Sequence, residues 1–134
     1  MEVELIDDNL LSVLHGKAEE NERLRMNHDL RSTQEDTSQR MLNVLLPGTD
    51  VPIHRHPDSS ETVIILKGWI EEVFYDENGK ETERFSLNPS EGHFGIQIPM
   101  GRWHTVEVHE ESAIVEMKNG KYVPLEQKDI WHGE

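Results

Sequence analysis

Cysteine is missing from the chain altogether, so no disulfide can staple the fold and no thiolate can bind a metal. Any ion must be held by imidazole or carboxylate. Positive charge is scarce as well: 13 Lys and Arg stand against 27 Asp and Glu, a net charge of −14. That balance opposes docking on phosphate backbones and anionic membrane surfaces, where basic patches are needed. Nucleic acid and membrane are therefore not expected as partners. No apolar run approaches the ~20 residues of a membrane-spanning helix. The first residues lack the basic region and apolar stretch of a secretory signal, and a cytoplasmic protein is expected. The 134 residues suit one domain with a modest core.

Asn9 can cap a short helix reaching residue 20, with Leu10, Leu11 and Leu14 as its apolar stripe and Gly16 weakening its middle. Residues 23–28 alternate as a strand, with Leu24 and Met26 on one face and Arg23, Arg25 and Asn27 on the other. The polar stretch 29–39 reads as a loop. Eight short strands follow, at 41–46, 51–55, 61–67, 69–75, 83–87, 93–98, 104–108 and 112–118. Asn78-Gly79 marks a hairpin, predicted as a type I′ turn with positive φ at both residues. The acid-rich run 71–83 around it reads as solvated. Strands at such close spacing predict a mostly β sandwich or barrel, while residues after Tyr122 show no clear periodicity and either pack across it or hang free.

Within this β region, Gly48, His54, His56, Glu61 and Gly68 fall as glycine, five residues, His-Arg-His, four residues, glutamate, six residues, glycine. A further histidine, His104, follows Pro99-Met100-Gly101. Histidines one residue apart on a strand point the same way, because side chains alternate faces. His104 shares its phase with Val106 and Val108, and Glu61 with Val63 and Ile65, so both polar groups sit at the ends of inward apolar rows. A buried carboxylate is costly without a partner, and a cation supplies one. His54, His56, Glu61 and His104 are thus candidate ligands for one divalent ion, with iron, zinc, manganese or nickel all suited to such donors. The plainer alternative, histidines as hydrogen-bonded core groups, requires four residues to fall into metal-site spacing by coincidence. Gly48 and Gly68 are read as turn residues, and His15, His28, His93, His109 and His132 as surface or hydrogen-bonded groups, with His28 in phase with Leu24 and Met26.

At these residues the chain resembles the cupin superfamily. The first cupin motif matches from Gly48 to Gly68. The second matches at Pro99, Gly101 and His104, with its leading glycine one residue out of step at Gly92 and Val108 standing where the pattern carries asparagine. The resemblance extends to the WbuC-type cupin fold metalloproteins through Arg23-Leu24-Arg25-Met26-Asn27, Gln39-Arg40-Met41-Leu42-Asn43, His54-Arg55-His56-Pro57 and Tyr122-Val123-Pro124-Leu125. It implies a small single-domain cupin β-barrel, jelly-roll-like, with a short N-terminal helix. It also implies a bound metal, pairing into a homodimer, and a link to surface-polysaccharide (O-antigen) biosynthesis with no reaction firmly assigned. The expected division is 1–40 as an N-terminal helix and strand extension, 41–123 as the barrel and 124–134 as a tail.

Away from the metal, Arg25 and Asn27 are candidate substrate-binding residues, since guanidinium forks suit carboxylate or phosphate groups. The alternative is a solvated strand face. Trp103, beside His104, is a candidate to stack on a sugar or aromatic ligand, although packing is the commoner role. Gln97 is a candidate polar contact near the site. The reading that follows is a metal-dependent enzyme acting on a small anionic or carbohydrate-derived metabolite. The rival is a non-catalytic module that binds or senses a small ligand through its metal.

Overall fold

The structure, a computed structural model, describes residues 2–133. Helix α1 (Asp8–Glu20) forms where Leu11, Leu14 and Ala18 recur at helical spacing and bury one stripe. Its cap is Asp7, not the expected Asn9. The Asp7 carboxylate accepts from Leu10 N at 2.9 Å, the third residue on, whereas Asn9 already lies inside the first turn.

Six strands follow: β1 (Arg25–Asp29), β2 (Ser38–Leu45), β3 (Glu61–Tyr75), β4 (Glu81–Leu87), β5 (Gly95–Ile98) and β6 (Trp103–Asn119). β1 starts two residues later than predicted because Leu24 has φ of 57°, a left-handed kink that no strand continues through. β2 starts at Ser38, so the division expected at residues 40/41 falls inside a strand. Every pairing is antiparallel, in the order β1-β2-β6-β3-β4, with β5 on the first half of β3. The sheet is not closed into a continuous hydrogen-bonded ring. No helix among the described residues is long and apolar enough to cross a membrane.

Two predicted strand pairs have each fused into one long strand, and Gly68 explains how. It is a bulge rather than a turn: its φ is +99°, and a Cβ there would collide with the Ser112 side chain and the Glu111 carbonyl. Ser112 Oγ accepts from Trp69 N at 3.0 Å and donates to Glu110 O at 2.7 Å, satisfying backbone groups that the bulge frees. The bulge also switches parity. Glu61, Val63 and Ile65 face inward before it, and Ile70, Glu72 and Phe74 after it. Both halves of β3 can therefore line one interior.

That interior is the first apolar cluster: Leu45, Val63, Ile65, Ile70, Phe74, Leu87, Ile98 and Ile114. The second cluster seats Leu11, Leu14 and Ala18 of α1 on the other face of β2 and β6, against Leu42, Val44 and Ala113. Alternation along β2 divides Leu42 and Val44 from Leu45 in this way.

The predicted strand 51–55 is only an extended segment, in which His54 makes isolated antiparallel bridges to His104 on one side and Ile130 on the other. Beyond Tyr122 the chain stays exposed as far as residue 128 and packs at residues 129–131. Arg55 N donates to Asp129 O at 3.0 Å, Trp131 N donates to Ile53 O at 2.8 Å, and Arg55 Nε reaches Asp129 Oδ1 at 3.0 Å. The hairpin at Asn78-Gly79 is present but is not type I′, because only Gly79 has positive φ. Asp76 Oδ1 accepts from both Asn78 N and Lys80 N and closes the turn by that route.

Two outcomes follow for stability. Glu72 is 4% exposed between Ile70 and Phe74, and its carboxyl makes no hydrogen bond or ion pair among the described residues. Burial, then the charges of Glu61 and Glu116, push it well above its ordinary value. The folded state therefore holds a proton that the unfolded chain releases as pH rises past the ordinary value of 4.5, and stability is lost in that direction. Glu72→Leu should stabilise the protein by about 1–3 kcal/mol at pH 8 and by less at pH 5. Urea melts of both proteins at the two pH values check this, and an equal or lower midpoint for the variant at pH 8 contradicts it. Asp129, 3% exposed, anchors the C-terminal strap through Arg55. Asp129→Ala should cost about 1.5–3 kcal/mol, the range for hydrogen bonds to charged groups, read from the same melts.

Candidate metal centre

Backbone bonds place the histidines before their side chains act. His54 N donates to His104 O at 2.9 Å and His104 N donates to His54 O at 2.8 Å, while Gly101 N donates to His56 O at 2.9 Å. The loop carrying the first motif is thus stitched onto the start of β6. His54 Nδ1 lies 2.9 Å from Pro52 O, and His104 Nδ1 lies 2.9 Å from Arg102 O. A carbonyl only accepts, so each Nδ1 carries the hydrogen and each Nε2 is left as a donor of electrons to a cation.

One nitrogen from each of His54, His56 and His104 lies within 4.8 Å of the others. The ring centroids of His54 and His104 are 4.4 Å apart, and those of His54 and His56 are 5.0 Å apart. Glu61, 3% exposed, sits beside them: its oxygens are 3.4 Å from His56 Nε2 and 3.7 Å from His104 Nε2. The other partner of Glu61 is Lys118, whose Nζ donates at 3.1 Å. Burial pushes His54 and His56 down to about 4, so both are neutral at physiological pH. Burial alone would raise Glu61, but His104 and Lys118 hold it well below the usual carboxylate range. Imidazole nitrogens gathered beside an ionised carboxylate are a donor set that suits a divalent first-row ion.

Beside this cluster lies a cavity of about 270 Å³, lined by His54 and His56 together with Arg25, Asn27, Asn43, Glu72, Glu116 and Lys118. Its far wall is β1 and β2. Arg25 Nη1 donates to Thr49 Oγ1 at 3.1 Å and to Asp50 O at 3.0 Å, which fixes its head at the rim. Burial and the neighbouring Arg23 lower its pKa. Arg31 and Arg40 also line the cavity, but each is committed to a carboxylate, Asp29 and Asp36 respectively. Arg25 and Asn27 thus share a cavity with His54 and His56.

Gln97 and Trp103 do not. On β5 the inward phase belongs to Ile96 and Ile98, so Gln97 points outward and bonds to Thr62. Trp103 precedes His104 on a strand and takes the opposite face. There its Nε1 donates to Glu77 Oε2 at 3.2 Å, the Arg55 guanidinium lies 4.5 Å over its ring, and Trp131 packs edge-on. Its role is packing. Of the remaining histidines, His109 pairs with Glu71 at 2.6 Å, His15 with Glu111 at 2.6 Å, and His28 with Glu4 at 3.0 Å.

Asn43, Glu72, Glu116 and Lys118 escaped the sequence reading. The signal was there for the last two: they continue the inward phase of Ile114 on β6, polar residues following an apolar one on the buried face. Burial, reinforced by the charge of Glu61, pushes Glu116 up.

In three dimensions the chain is similar to the capsular polysaccharide assembling protein CapF from Staphylococcus aureus, with a TM-score of 0.64 and 19% identity, covering 85% of this chain and 30% of that one. It is similar to oxalate decarboxylase from Lactobacillus farciminis, in a formate complex, with a TM-score of 0.61 and 16% identity, covering 76% and 30%. A conserved SPY1581 protein of unknown function from Streptococcus pyogenes gives a TM-score of 0.62 at 16% identity and covers 92% of both chains. The chain spans about a third of the length of CapF. At such identities the likeness establishes the fold, and the fold is that of the cupins, mostly β with one N-terminal helix. No curated protein matches the sequence. The family profile described as a domain of unknown function, DUF6016, matches residues 6–87, a stretch that runs through α1 to the end of β4 and carries His54, His56 and Glu61, and by that match the chain belongs to the DUF6016 family.

Proposed function

We propose that His54, His56, His104 and Glu61 hold one divalent ion, iron, zinc, manganese or nickel, and that the adjoining cavity presents a small anionic metabolite to it for a metal-dependent reaction. The observation that carries this reading is the convergence of three imidazole nitrogens beside Glu61, with His54 and His56 at the wall of a cavity whose rim bears Arg25. A divalent ion bound there supplies Lewis acidity to a ligand oxygen. The protein's own groups do the rest. Arg25 and Asn27 hold the anionic end, Lys118 keeps Glu61 ionised and oriented, and the wall of Leu45, Val106 and Ile114 excludes water.

CapF is described as assembling capsular polysaccharide and another neighbour as decarboxylating oxalate. Together with the WbuC-type resemblance, these support a carbohydrate-derived or carboxylate substrate and a place in surface-polysaccharide biosynthesis. β1 ends the strand order, which supports pairing of two copies through that edge. A cavity beside the cluster favours an enzyme over a purely structural metal. The sensing module remains the rival, and turnover of a bound ligand separates the two.

The ligand set predicts that His56→Ala and Glu61→Gln lose most of the metal that purified wild type carries, measured by elemental analysis. Full stoichiometric metal in both variants contradicts the assignment. Chelation should lower the melting temperature, since an ion at a hundredfold excess over its Kd adds about 2.7 kcal/mol to the native state. Because burial holds His54 and His56 near 4, proton competition should set in only as pH approaches that value, well below the free imidazole value of about 6.5. Metal retention after dialysis across that range reads this out. Arg25→Ala should keep fold and metal yet bind succinate more weakly by about 1.5–3 kcal/mol, measured by titration calorimetry. Unchanged succinate affinity removes Arg25 from the site.

A further inference from the structure

Asn43 lies near the middle of β2 with 5% of its surface exposed, and it lines the cavity. Its amide nitrogen donates to Glu116 Oε1. Its amide oxygen, Oδ1, is buried and has no protein donor. Native interiors rarely leave a buried acceptor unpaired, and a residue that does so where an apolar side chain would pack calls for a functional reason. Leu42 and Val44 on either side show what the strand otherwise buries.

Position says what the free acceptor would meet. Asn43 is directly opposite Asn27 across the β1–β2 ladder and opposite Ile114 across the β2–β6 ladder. Asn27, Asn43, Glu116 and Lys118 therefore form a polar row on the cavity wall, and the row ends where Lys118 bonds to Glu61. A ligand whose anionic end lies at Arg25 and Asn27 and whose other end approaches the histidines must pass Asn43. The group it offers there has to be a hydrogen-bond donor, since Oδ1 only accepts. A neutral hydroxyl meets that requirement without adding a charge between the Glu116 carboxyl and Lys118.

We infer that Asn43 is a specificity-determining residue that accepts a hydrogen bond from an alcohol hydroxyl of the ligand, so that the cavity selects hydroxylated acids over their deoxy counterparts. This rests on the proposed anion-binding role of the cavity and deepens it by naming the class of molecule. Lysine and arginine alone would take any small anion. The free amide oxygen is what distinguishes a hydroxy acid from a plain one.

The test uses matched acids that differ only in hydroxyl groups, tartrate (both enantiomers) and succinate, titrated calorimetrically into zinc-loaded and zinc-free protein. Wild type should prefer one tartrate enantiomer to succinate, and in Asn43→Leu that preference should shrink by about tenfold, the worth of roughly one hydrogen bond. Asn43→Ala carries the comparison if the leucine variant does not fold, as judged by its melting curve. Tartrate can also chelate zinc, so the preference that survives in Asn43→Leu measures chelation and the part that disappears measures the amide. A preference unchanged by either Asn43 substitution overturns the inference. Arg25→Ala separates the two levels: if it weakens both acids while the Asn43 variants leave the tartrate preference intact, the anion reading stands and the hydroxyl contact falls. If wild type binds neither acid, both fall.

Discussion

The exchange of two backbone hydrogen bonds between His54 and His104 is the contact on which the site depends. It joins a loop outside any strand to the start of β6 and brings together residues fifty positions apart in the chain. Side-chain spacing within a motif cannot achieve this alone. The His-Arg-His step sets two rings on one side of an extended segment, but the third ring arrives only because that segment is hydrogen-bonded beside Trp103–Asn119. Glu61 then comes from β3, the neighbour of β6 on its other side. Four residues from three segments converge because the sheet has one arrangement of neighbours.

The same sheet must reconcile a polar interior with a stable core, and the Gly68 bulge is its means. A strand of fifteen residues with strict alternation would aim Glu61 inward and Ile70 outward. The one-residue slip keeps both on the interior, so β3 supplies the carboxylate beside the histidine cluster at one end and the packing of Ile70 and Phe74 at the other. Around the cavity the apolar cluster gives way to Glu72, Glu116 and Asn43. None of these stabilises the fold as an aliphatic side chain would. Their presence in the inward phase marks the polar part of the interior, where local packing preference gives way to the cavity.

Much of this was legible in the residues themselves. The phase of His104 with Val106 and Val108, and of Glu61 with Val63 and Ile65, put both polar groups inside, and alternation is a local property that survives folding. The failures share a cause. Gly68 was read as a turn because a glycine between two apolar runs looks alike in a turn and a bulge, and only the opposing Ser112 and Glu111 distinguish them. Gln97 and Trp103 were chosen for nearness in sequence to Pro99 and His104, although period two sends neighbours to opposite faces. Asn43 gave no signal, since an orphaned acceptor is defined by partners that lie elsewhere in the chain.

The C-terminal strap has a consequence for the order of events during synthesis. His54 is bracketed by His104 and Ile130, and Arg55 is held by Asp129. When His54 and His56 leave the ribosome, none of those three partners has yet been made. The first motif gains its bridge to His104 some fifty residues later and its last support only after some seventy-five. A chain interrupted before Asp129 would keep the His104 bridge but lack the support of Asp129 and Ile130 on the other side of His54. The geometry of the first motif is therefore completed in two steps, first by β6 and last by the strap.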